Sequence, residues 1–326
     1  MGDSGRDGLL VFLATDVEVW PKARRSALGR FDEEFRRFIY GPTPRGDYGL
    51  PFQLKLYKQY ELKSVFLVDA MFASVFGLSY LQDVVDLIRD AGQEVQLHIH
   101  TEWVERADSL LPGKAGRNMR DFSREDQGIL VEKAIENMQA CGVHGLSTFR
   151  AGNFGANWDT LDALGEHGIV YDTSYNIPYI GSTCDLKTEP PLVQPAVFRG
   201  VIEFPISFFE QGTGNYRHAQ VGSCSFSELA SMMDQALSKG WHSFQILSHN
   251  FELLNQAKTR PDAIVIRRFE KLCTFLAENR DRFPTAWFGD LDPGKIPVDI
   301  QTPPLRSSWW RTILRYGEQL TRRIYR

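Results

Sequence analysis

Four short stretches bring together residue types suited to acid–base or metal chemistry. The first is Asp16 with Glu18, which closes an apolar run at residues 9–14. On an extended segment, residues two apart point to the same side. One carboxylate could then hold a metal while the other serves as a base. The second is His98-Ile99-His100. On a strand both imidazoles face one way, and neutral imidazole suits zinc, iron and nickel. Glu102, four residues after His98, is an alternative oxygen ligand. The third is Phe149-Arg150-Ala151-Gly152-Asn153-Phe154-Gly155, where an always-charged fork sits beside glycines and could hold a carboxylate in fixed geometry. The fourth is Leu247-Ser248-His249-Asn250-Phe251-Glu252. A histidine directly after an apolar strand is well placed as a general acid or base, although Ser248 and Asn250 also suit a helix cap. His144, His167, His218 and His242 fall in turns, near helix ends or before a strand, and are expected to be exposed.

These stretches need elements that carry them to one place. Apolar runs at 9–14, 64–68, 94–100, 146–149, 169–171, 201–206, 244–247 and 285–288 read as strands. Amphipathic stretches at 52–62, 80–91, 123–140, 158–166, 227–239 and 262–280 read as helices, several stopped by glycine. This alternation predicts an α/β fold with a parallel sheet. About seven units suggest a distorted β/α barrel, with an open doubly wound sheet as the alternative. The open form usually carries a glycine-rich phosphate loop after its first strand, and Ala14-Thr15-Asp16-Val17-Glu18-Val19 has no glycine. In a β/α barrel the reactive groups gather at strand C-termini, where all four stretches fall. Residues 21–47, polar and basic, are expected to form a long loop framing a substrate. The barrel is expected to span residues 1–291, with a C-terminal extension at 292–326.

The net charge of −4 over 326 residues, with no run of basic residues interleaved with aromatics in the body of the chain, argues against nucleic-acid binding. The four cysteines are scattered and form no CxxC pair, so reduced thiols are expected. No G-x-S-x-G or H-E-x-x-H motif is present. The polar start does not read as a secretory signal, so the expected location is cytoplasmic. Residues 306–326 carry six arginines against Glu318 alone. Trp310, Ile313, Leu314, Gly317, Leu320 and Ile324 would share one face of a helix there. That pattern suits peripheral contact with a membrane's inner face; the alternatives are a helix packed on the barrel or a disordered tail.

The order of these motifs, with Tyr171-Asp172-Thr173-Ser174 between the third and fourth, resembles the polysaccharide deacetylases of carbohydrate esterase family four. That family includes chitin and nodulation-factor deacetylases. The resemblance covers about residues 9–290. It implies Asp16 as general base, Arg150 orienting it, His249 as general acid and Asp172 tuning His249. It implies a divalent metal, expected to be zinc, on His98, His100 and Glu18. Glu18 enters because Val17 replaces the family's second aspartate. Trp103, Asn153, Phe154 and Leu247 are expected to line the substrate, an N-acetylated carbohydrate, with Leu247 at the acetyl group. Two competing expectations are hydrolysis of another non-peptide C–N bond and a non-catalytic carbohydrate-binding homologue.

Overall fold

The computed structural model describes residues 8–20, 30–107, 109–212 and 214–324, with side chains through residue 319. Eight strands form one curled sheet. They are β1 (Leu10–Val17), β2 (Val65–Asp69), β3 (Glu94–Ile99), β4 (Thr148–Ala151), β5 (Tyr171–Asp172), β6 (Ala196–Phe198), β7 (Val201–Glu203) and β8 (Ser243–His249). Their spatial order is β8-β1-β2-β3-β4-β5-β7-β6. Seven strands run parallel, and β6 turns back antiparallel to β7 at one edge.

The crossovers are helices α1 (Leu50–Gln59), α2 (Leu78–Asp90), α3 (Arg124–Ala140), α4 (Trp158–Glu166) and α5 (Phe226–Ser238), and α6 (Ala263–Glu278) follows β8. Side-chain caps set several starts. Ser123 accepts from Asp126 N, Asn157 from Thr160 N and Ser225 from Glu228 N. Each cap satisfies an N–H that the helix leaves orphaned.

Alternation along the strands divides the core. On β1, Val11 and Leu13 join the large cluster under the helices, while Leu10, Phe12 and Ala14 face into the barrel. There Phe12 stacks on Phe288 at 4.4 Å, and Phe204 meets both rings edge-on. Burying each such ring contributes about 1.5–3 kcal/mol. This apolar plug fills the lower barrel. The same inward row of β1 continues upward to Asp16.

The barrel closes without a full ladder between β8 and β6. Gln194 bridges the seam with its amide: Oε1 accepts from His242 N and Ser243 N, and Nε2 donates to Ser243 O. Ser207 Oγ accepts from Gln245 N, and residues 219–221 exchange backbone bonds with Leu247. All four cysteines are buried and unpaired.

Two sequence expectations are corrected. Residues 31–40 are helical rather than loop, because Phe31, Phe35, Phe38 and Ile39 bury one face, and 42–47 form a small hairpin. The part of the expected loop at 21–29 lies outside the described residues. Residues 285–288 form no strand: after one bridge, Val11 to Thr285, the chain enters a tight turn at Phe288–Asp290, where Phe288 N and Gly289 N donate to the Glu94 carboxylate. The C-terminal extension carries the expected helix and lies against the body. Leu305–Arg306 pairs with a strand at Phe208–Glu210, and helix α7 (Trp309–Ile324) docks on the body.

Candidate active site

Strand register brings the chemistry together. Asp16 on β1 lies opposite His249 on β8. Across the next strands, Asp69 on β2 lies opposite His98, and His98 lies opposite Arg150. A cavity of about 210 Å³ opens over these strand ends. Asp16, Glu18, His98, His100, Leu247 and His249 line it, as do Asn153 and Phe154.

Glu18 and the two histidines form its most concentrated donor set. One ligand atom from each of Glu18, His98 and His100 lies within 4.8 Å of the others, and all three residues are buried. His98 Nδ1 donates to Arg150 O at 2.8 Å, so its Nε2 presents a lone pair. That Nε2 is buried, has no hydrogen-bond partner and lies 3.7 Å from Glu18 Oε2. His100 Nδ1 donates to Glu102 Oε2 at 3.1 Å, and its Nε2 lies against Glu18 Oε2. Histidine ligands are commonly oriented in this way, through a bond from the other ring nitrogen. Burial opposes the charge on Glu18, yet His100, His98 and His249 outweigh it and hold the carboxyl well below its usual range. Burial likewise opposes charge on His100, but Glu18 and Glu102 raise its pKa well above the ordinary value.

Backbone placement of this cluster is tightly specified. Asn250 Oδ1 accepts from Glu18 N at 3.0 Å, and Asn250 Nδ2 donates to Glu18 O and Phe38 O. Asp69 Oδ1 accepts from His100 N and Met71 N. Gly152 has to be glycine, since a Cβ there would sit 2.7 Å from Ile99 O and 2.8 Å from His100 Nδ1.

Asp16 pairs with Arg150, which is fully buried. The guanidinium also donates from Nε to Thr173 O and from Nη2 to Thr173 Oγ1, both at 3.0 Å. Three bonds therefore fix the fork that holds Asp16. On the other side, His249 Nδ1 donates to Glu252 Oε2 at 2.9 Å, while its Nε2 lies 4.0 Å from Glu18 Oε1. Burial lowers the His249 pKa, but Glu252, Glu18 and Asp16 outweigh that and raise it to about 9. Its imidazole is thus protonated at neutral pH. Glu252 is fixed by Gln220 Nε2 and by Gly222 N at 2.8 Å. A Cβ on Gly222 would stand 2.0 Å from Glu252 Oε1, so glycine is what admits the carboxylate.

Two expected site residues stand elsewhere. Asp172 is not beside His249, whose carboxylate partner is Glu252. Asp172 Oδ1 accepts from Ser174 Oγ at 2.7 Å, and the strand register sets Asp172 against Glu203. Trp103 is buried, donates its indole N–H to Asp69 Oδ2 at 2.8 Å and packs on Phe31 and Phe76, away from the cavity lining. Conversely, His218 is half-buried rather than exposed. It lines the cavity, stacks on Tyr179 and has its pKa lowered to about 4 by burial. Trp20, Tyr179, Thr183 and Gln220 also line the cavity without a sequence signal that marks them. Glu252 did have one: it stands three residues after His249 in the same motif. Asn153 and Phe154 both hold left-handed backbone, with φ of 55° and 56°. Such strain gathers at functional sites. Here it turns Asn153 Nδ2 onto Glu102 Oε1 and sets Phe154 against Tyr179 as a wall.

The Asp172–Glu203 pair gives a stability prediction. Burial raises the pKa of both carboxyls, and Asp172 pushes Glu203 further, well above its usual value. Folded Glu203 keeps a proton that the unfolded chain releases near pH 4.5. Its contribution is therefore complete below that pH and is lost as pH rises through the folded pKa. Glu203→Gln, which keeps a neutral hydrogen-bonding group there, is expected to raise Tm relative to wild type, by an increment that grows between pH 5 and 9. A Tm deficit that is constant with pH would contradict this.

Neither a protein-family model nor a curated protein sequence matches the chain. Solved structures do. One from Mycobacterium smegmatis, described as a "putative polysaccharide deacetylase", is 16% identical with a TM-score of 0.55, over 93% of this chain and 97% of that one. A family 4 carbohydrate esterase from Streptomyces lividans in complex with acetate is 11% identical with a TM-score of 0.44, over 91% of this chain and 98% of that one. A 4-alpha-glucanotransferase from Thermococcus litoralis is 12% identical with a TM-score of 0.52, over 86% of this chain and 40% of that one. At these identities the likeness is one of fold, and the fold is that of the polysaccharide deacetylases.

Proposed function

Proceeding from that fold, we propose that the chain is a metal-dependent hydrolase that removes N-acetyl groups from a carbohydrate. The observation that carries this reading is the convergence on one cavity of a three-donor cluster, an arginine-held carboxylate and a carboxylate-held histidine. Glu18, His98 and His100 would hold a divalent ion, and the orphaned His98 Nε2 fits a ligand role. Imidazole and carboxylate together suit zinc. The ion would supply Lewis acidity, making water a nucleophile near neutral pH and drawing charge toward the acyl oxygen.

The chain's own residues supply the proton transfers. Asp16, oriented by Arg150, accepts a proton from the attacking water as its oxygen bonds to the acetyl carbon. His249, protonated at neutral pH, gives its proton from Nε2 to the amide nitrogen as the C–N bond breaks. Glu252 keeps the imidazole in that orientation through Nδ1. Leu247 and Phe154 supply apolar surface beside the cluster for the acetyl methyl. The products are acetate and a free amino sugar.

The test is acetate release from N-acetylglucosamine oligomers, with small cyclic amides assayed alongside. Activity is expected on the oligomers, to vanish on chelation and to return with zinc. Purified protein is expected to bind about one ion per chain, and Glu18→Ala to lose it. Turnover of the cyclic amides alone would assign another C–N bond. Full activity in a chelated sample would remove the metal from the mechanism.

A further inference from the structure

We propose that helix α7 is a membrane-interface element, docked on the barrel by its charged side and presenting its apolar side to an anionic lipid surface. The docked side is unambiguous. Arg315 is fully buried, donating from Nε to Glu228 Oε1 at 3.1 Å and from Nη2 to Gln211 Oε1 at 2.9 Å. Thr312 Oγ1 donates to Gln211 O, Arg268 pairs with Glu318, and Arg311 reaches Ser231. The outward side carries Trp309 at 68% exposure, Ile313 and Leu314 at 56%, Tyr316 at 46% and Trp310 at 45%. These are five of the ten exposed large hydrophobics among the described residues, and they fall within eight positions.

This arrangement inverts the ordinary one, in which a surface helix turns its apolar stripe to the core. A contiguous exposed apolar patch marks an interaction site. Its chemistry selects the occupant. Tryptophan and tyrosine mixed with arginine is the composition of a bilayer interface. Arg306 is largely exposed while pairing with Glu210, and the sequence adds Arg322, Arg323 and Arg326. The one acid of the segment, Glu318, is engaged by Arg268. That charge complements anionic headgroups. The helix has 16 residues, and none among the described residues is long and apolar enough to cross a membrane, so contact would be in the plane of the interface. A groove of about 1280 Å³ lined by His249 and Glu252 also includes Glu318, so a docked helix would border the candidate site.

The test needs no activity readout. The full chain is sedimented with phosphatidylcholine vesicles and with vesicles containing 30% phosphatidylglycerol. Binding to the anionic vesicles is expected, at least about tenfold weaker to the neutral ones, and falling with salt. The combined Trp310→Ser, Ile313→Ser and Leu314→Ser variant, all at exposed positions, is expected to keep its Tm and lose at least about tenfold in binding. Leu78→Ser, an exposed control elsewhere, is expected to bind as wild type. Wild-type chain left in the supernatant with every vesicle overturns the proposal, and so does equal pelleting of the triple variant. Self-association that the triple variant abolishes, without vesicle binding, also overturns it by assigning the face to a second copy.

Discussion

Asp16→Asn is expected to lower the rate of acetate release at least about a hundredfold, the usual scale of a lost general base. The amide keeps the size of the carboxylate but accepts no proton from water. The substitution has a second effect that needs separating. It removes the negative charge paired with Arg150, leaving a fully buried guanidinium whose hydrogen bonds among the described residues are to neutral groups. Breaking one half of a buried pair costs about 3–5 kcal/mol, so the single variant is expected to melt lower as well. The Asp16→Asn, Arg150→Met double variant removes both charges and is expected to regain part of that Tm. If the rate loss comes from the missing base, the double variant stays slow although it is stable. Recovery of rate together with Tm would show that Asp16 acts only through structure. His249→Ala should likewise lose at least about a hundredfold, with no buried cation left behind.

Arg315→Met is expected to destabilise the protein by about 3–5 kcal/mol. Arg315 and Glu228 are both fully buried, and their pair joins α7 to α5 alongside the Arg311–Ser231 bond. Glu228 keeps its bonds to Ser225 N and Ser225 Oγ, which cap α5, but loses its counter-charge. Adding Glu228→Gln should restore much of the stability, since glutamine can keep the cap without the charge. Urea unfolding of the two single variants and the double variant completes the cycle. A loss under about 1 kcal/mol would mean that the pair is held less firmly than its burial implies.

Most of the fold was legible because strands and helices advertise their periods. On β1 the row Leu10, Phe12, Ala14 predicts that Asp16 faces inward, since the pleat repeats every two residues. The same rule delivers His98 with His100, and Leu247 with His249. The helix at residues 31–40 was also legible, in the spacing of Phe31, Phe35, Phe38 and Ile39, but the basic composition of its surroundings masked it. What sequence does not carry is which side chains meet across the barrel. Asp172 sits in a motif whose place in the order suggests a partner for His249, yet register assigns it to Glu203, and Glu252 takes the histidine from three residues away. For α7 the periodic face was visible, but not the buried Arg315 that decides which way the face points.

The stitched seam has a bearing on solubility. A curled sheet that does not close leaves β8 with one flank of unpaired N–H and C=O groups, a template for adding a strand from another molecule. β8 is long, and the residues before its last are buried, which would make such a flank hazardous during folding. Gln194 caps its start, Ser207 its middle and residues 219–221 its end. The opposite margin, β6, is only three residues long and carries Val197 half out in water. The molecule thus guards against edge-to-edge aggregation with one amide, one hydroxyl and one short stretch of backbone, and it leaves only a three-residue strand at the open margin.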